Sequence, residues 1–128
     1  MDNYIEYFGK NFIIKDKRER ILHEFAKKPD DVEWRICHGL YEILDKRFVV
    51  LSGEKISEED VLAELKKHTK DKEAYLLFTE YDREIKPLKE AVQICFDWPG
   101  GSVLIMDGAI FCKEEQCFGA PDKYVLAK

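Results

Sequence analysis

Cysteine, glycine and proline are all scarce in this chain, and each scarcity removes a class of protein. Four cysteines in 128 residues are too sparse for a disulfide scaffold. Cys112 and Cys117 have four residues between them rather than two, and His23, His38 and His68 stand singly, so neither zinc-finger nor redox spacing occurs. No metal and no cofactor is expected. Seven glycines and four prolines exclude a collagenous or low-complexity chain. Long apolar runs are missing too. Val103-Leu104-Ile105-Met106 is strand-sized, far short of the roughly 20 residues that span a bilayer. Basic residues are in deficit, 21 Lys+Arg against 26 Asp+Glu for a net charge of -5, which argues against a protein that coats nucleic acid. Glycine-rich phosphate loops are absent, and Gly100-Gly101-Ser102 lacks the spacing of a nucleophile elbow.

What is present is 45% hydrophobic and 37% charged residues, enough for one globular domain over residues 1–128. Residues Met1 to Phe8 carry neither a basic n-region nor an apolar h-region, which predicts a cytoplasmic protein with no membrane association. Cys37 and Cys95 read as small core hydrophobes.

Along the chain, Tyr4-Ile5-Tyr7-Phe8 and Phe12-Ile13-Ile14, parted by Gly9, predict an extended docking segment. A helix follows from about Asp16, with Ile21, Leu22 and Phe25 on one stripe and Lys15, Lys17, Arg18 and Arg20 on a solvated face. Pro29 stops it, and Asp30 with Glu33 forms the capping pattern of a second helix. Arg47 to Gly53 predicts a strand. Ser57-Glu58-Glu59-Asp60 opens a third helix that ends at Lys66-Lys67-His68, acids and bases matching the two ends of the helix dipole. Ala74 to Thr79 reads as a central strand, and Pro87 opens a fourth helix with Leu88, Ala91, Val92 and Cys95 on one face. Val103–Met106, Asp107-Gly108 and Ala109–Cys112 predict a hairpin with a type I′ turn, and Tyr124 to Ala127 a final strand. The expected fold is α+β. A mixed or antiparallel sheet of about five strands carries about four helices on one side and ends in a C-terminal hairpin. Phe48 to Thr79 is read as a possible parallel crossover.

No catalytic constellation stands out. Cys37 and His38 are adjacent on a helix and point about 100° apart, so they cannot pair with each other. The candidate interface residues are Asp97 and Trp98, an acid and an aromatic on a Pro-Gly-Gly turn, with Glu114, Glu115 and Phe118 beyond the hairpin. In size and composition the chain is similar to bacterial immunity proteins and antitoxins. That likeness implies a protein partner, a toxin for example, blocked by occlusion of a basic surface. An alternative is a small enzyme or ligand-binding domain that uses Asp97, Glu114, Glu115 or Cys112 in a cleft beside the C-terminal sheet. A third reading is a homo-oligomer that pairs through a free sheet edge near Tyr124.

Overall fold

The computed structural model describes residues 3–28, 39–115 and 122–128. The opening segment is helical rather than extended: α1 spans Tyr4–Phe12. Asn3 caps it by accepting from the Glu6 amide at 3.0 Å, and Glu6 pairs with Lys10 one turn on. Tyr4, Phe8 and Phe12 recur every four residues, which is helical spacing. Gly9 is not a break between two clusters. A Cβ there would lie 2.5 Å from Leu22 Cδ2, so the glycine lets α1 approach α2 (Lys15–Lys27) closely. Ile21 and Phe25 of α2 are buried, while Lys15, Lys17 and Arg20 face solvent as expected. The helix start at Asp30 and Glu33 lies outside the described residues, and a short α3 (Leu40–Ile43) follows it.

After a 3-10 turn at Lys46–Phe48, β1 runs Val49–Gly53. The third predicted helix is α4, Glu58–His68, closed by a reciprocal capping box between Ser57 and Asp60. β2 (Glu73–Leu77) turns through residues 78–84 into β3 (Ile85–Pro87), which leads directly into α5 (Leu88–Asp97). Pro87 thus closes a short strand at the threshold of the helix. Strand β3 went unanticipated because three residues carry no periodicity. β4 (Ser102–Met106), β5 (Ala109–Lys113) and β6 (Lys123–Ala127) complete the fold.

The six strands form one antiparallel sheet in the order β1-β6-β5-β4-β2-β3. β1 and β2 therefore point the same way, but three strands separate them, and α4 bridges that gap. Strand β6 is paired on both sides, so the edge expected near Tyr124 does not exist; the edges are β1 and β3. The predicted hairpin forms with Met106 opposite Ala109. Its turn is not type I′, because only Gly108 has positive φ, at +95°. That pattern matches a type II turn, which needs a left-handed residue at its second central position alone.

Helices also cover both faces of the sheet rather than one. Val103, Ile105, Ile110, Cys112, Tyr124 and Leu126 pack with α1, α2 and α3. Their alternate neighbours Leu104, Met106, Ala109, Phe111, Val125 and Ala127 pack with α4 and α5. Every residue of β4, β5 and β6 is buried. The physical reason was visible in the strands: runs such as Val103 to Met106 are apolar without alternation, the pattern of a strand enclosed on two sides.

Candidate functional site

The register aligns Ser102, Lys113, Lys123 and Gly53 in one row across four strands, at the end of the sheet opposite the Asp107-Gly108 turn. Two lysines side by side in a sheet repel, and here both are buried, Lys113 at 2% exposure and Lys123 at 7%. Each ammonium ties neighbouring chain to the sheet end. Lys113 Nζ donates to the Trp98 carbonyl. Lys123 Nζ donates to the Glu54 carbonyl at 2.6 Å and lies 5.4 Å from the centre of the Phe96 ring. Burial pulls the Lys113 amine below the usual lysine range.

Lys113 thereby fixes the segment that leaves α5. The helix buries Leu88, Ala91, Val92 and Cys95. The 3.6-residue period puts Glu90, Gln93, Ile94 and Asp97 together on its other side. Trp98 donates its amide to the Ile94 carbonyl at 3.1 Å, and its indole folds back over Gly100, where a Cβ would come 2.8 Å from Nε1. Trp98 is half-buried and held at three points.

Facing it is the loop between β2 and β3. Phe78 and Arg83 both adopt left-handed backbone, φ 72° and 65°, which costs roughly 1–2 kcal/mol for each non-glycine residue. Three contacts offset the strain. The Phe78 amide donates to Asp82 Oδ1 at 2.8 Å, the Arg83 amide donates to the Leu76 carbonyl at 2.7 Å, and the Phe78 ring stacks on Phe25 with centres 6.3 Å apart. The loop delivers Glu80 and Tyr81 to the outer side of α5. A hollow of about 280 Å³ results, lined by Glu80, Tyr81, Glu90, Gln93, Ile94, Asp97 and Trp98. Three acidic residues and two aromatic ones line it, and among the described residues no lysine or arginine does. Lys86 sits outside the lining, with its ammonium 4.7 Å from the centre of the Tyr81 ring.

Of the sequence-predicted interface residues, Asp97 and Trp98 meet in this hollow, and Glu114 does not join them. Glu114 extends from β5 on the opposite face of the sheet, where its carboxylate accepts from the Tyr41 backbone and its amide donates to the Asp122 carbonyl at 2.9 Å. Burial, then the nearby Asp122 charge, raises the Glu114 carboxyl. The same surroundings raise the Tyr124 phenol, burial first, beside a Tyr41 ring whose centre is 5.3 Å away. Glu115 is half-buried past the end of β5, and Phe118 lies outside the described residues. Glu80, Tyr81 and Glu90 were missed. The spacing of Glu90 and Asp97 on the outer stripe of α5 signals Glu90 alone; Glu80 and Tyr81, in the β2–β3 loop, carry no such signal.

Neither of the described cysteines lines the hollow. Cys95 and Cys112 are free thiols with 0% exposure, one in each core layer; Cys37 and Cys117 lie outside the described residues. Burial pushes the Cys95 thiol up to about 12, with the Ser102 hydroxyl and the Lys113 charge opposing the rise, and raises Cys112 as well. Both titrate higher folded than unfolded, so they favour folding fully below pH about 8.5 and progressively less above it. In native protein at pH 8 neither should react with iodoacetamide, whereas both should label after urea unfolding; mass spectrometry of the tryptic peptides reads this. Prompt native labelling of Cys112 would restore it as a reactive group.

Among the described residues no group of three His, Cys, Asp or Glu side chains is placed to hold a metal ion, and no helix is long and apolar enough to cross a membrane. No protein-family model, curated protein or solved structure matches the chain.

Proposed function

We propose that the protein is a cytoplasmic protein–protein interaction module of immunity or antitoxin type, which silences its partner by occluding a basic surface. The observation that carries this reading is the hollow at Trp98. It joins a half-buried tryptophan, pinned by Lys113 and Gly100, to a rim of three carboxylates. Preorganised aromatic anchors dominate binding energy at interfaces because little freedom is lost when they dock. Carboxylates around them speed encounter with a basic surface and disfavour acidic ones. The sheet behind the hollow, closed on both faces, supplies a rigid base.

The test is inhibition of any toxin encoded beside this protein's gene. Equimolar protein should abolish toxin activity. The Trp98→Ala variant should be at least about tenfold less potent, the effect expected for loss of a central aromatic anchor. Undiminished toxin activity in the presence of folded wild-type protein overturns the proposal.

A further inference from the structure

The lining of the hollow selects the chemistry of what enters it. We propose that it receives an arginine side chain projected by the partner protein, the guanidinium lodging against Tyr81 and Trp98 and pairing with Glu80, Glu90 and Asp97. This rests on the occlusion reading and names the group that reading requires on the partner.

Charge complementarity is the first argument. Glu80, Glu90 and Asp97 line one concavity, and among the described residues no lysine or arginine lines it. Two cations border it from outside: Lys113 donates to the Trp98 carbonyl and its charge also acts on Asp97, and Lys86 lies over the Tyr81 ring and 3.9 Å from Glu84. A neutral or anionic side chain entering the hollow would remove water from those carboxylates without replacing it, whereas a cation compensates them. The second argument is the pair of rings. Tyr81 already carries the Lys86 ammonium against its ring at 4.7 Å, so a cation on this surface has an example within the chain. A planar guanidinium stacks on aromatic faces and offers its edge donors to carboxylates at once, which an ammonium cannot do. The hollow presents both kinds of group together.

The probe is the tripeptide acetyl-Gly-Arg-Gly-amide, compared with versions carrying citrulline or lysine, added to the ¹⁵N-labelled full chain. The chain has two tryptophans, hence two indole N–H signals, and the Trp98→Phe spectrum identifies which one is lost. The arginine peptide should shift the Trp98 indole saturably and leave the other unmoved. The citrulline peptide, equal in shape and uncharged, should bind at least about tenfold more weakly, and the lysine peptide should fall between. A Glu90→Gln/Asp97→Asn variant should lose at least about tenfold in affinity for the arginine peptide while melting as the wild type does. Equal binding of citrulline, unchanged affinity in the double variant, or a shift spread evenly over all acidic surfaces would overturn the proposal. No toxin is present in this experiment. Peptide binding with failed inhibition therefore removes the occlusion reading alone, and inhibition without peptide binding removes the arginine alone.

Discussion

Phe111→Ala is expected to destabilise the protein by about 4 kcal/mol, within the usual 3–5 kcal/mol for a buried phenylalanine. Phe111 is 0% exposed in the central strand β5, with Leu104 and Val125 opposite it on the two flanking strands. Its ring stacks on Phe96 of α5, centres 5.7 Å apart and planes 10° from parallel. Alanine would leave a void with sheet on one side and helix on the other, and neither can collapse into it without breaking ladder pairing. The loss should also reach the hollow, because Phe96 lies two residues before Trp98 and supports the end of α5. Urea denaturation followed by circular dichroism measures the first effect, and broadening of the Trp98 indole signal the second. Val50→Ala, on the exposed outer side of the edge strand β1, is the contrast and should stay within about 0.5 kcal/mol. A loss below about 1.5 kcal/mol for Phe111→Ala would mean that the α5 layer is loosely packed.

Local chemistry was legible in the residues wherever a few neighbours decide the outcome. Ser57 with Asp60 caps α4, and Asp107-Gly108 turns the hairpin, because each depends on side chains within a few positions of one another. Partners distant in sequence account for what was not legible. Gly9 reads as a breaker until Leu22 is known to press against it. The two-sided burial of β4 is implied by its unbroken apolar run, yet which helices supply each face depends on a strand order that no local signal carries. Asp97 and Trp98, two of the seven residues lining the candidate site, are legible in the sequence. Glu90, Gln93 and Ile94 share the outer stripe of α5, whereas Glu80 and Tyr81 come from a loop that only the pairing of β2 with both β3 and β4 brings there. Glu114 was grouped with Asp97 because both flank the hairpin strands. Glu114, one residue past Lys113, lies on the face covered by α3, whereas Asp97 ends α5, which packs on the other face.

Gly108→Ala is expected to cost about 3 kcal/mol, more than a turn glycine on an open surface would. Its φ of +95° is a conformation that residues with a side chain adopt only under strain, and a Cβ there would stand 2.4 Å from the His68 carbonyl oxygen. That oxygen belongs to the last residue of α4, so relief requires either the helix end or the hairpin tip to move. The tip has little freedom. The Gly108 amide donates to Tyr7 Oη of α1 at 2.9 Å, and the Asp107 amide donates to Asp71 Oδ2 at 2.8 Å. The Gly108 carbonyl accepts from the Lys128 amide at 3.2 Å. The turn is thus clamped between the helix layers of the two faces, and displacement toward either breaks a hydrogen bond. Tyr7→Phe removes one of those bonds alone and should cost about 1 kcal/mol. Combined with Gly108→Ala, it should add less than that, because the displaced tip will already have lost the contact. Urea denaturation of the two single variants and the double variant measures the cycle. A cost below about 1 kcal/mol for Gly108→Ala, or full additivity with Tyr7→Phe, would show that the turn moves freely and does not join the two layers.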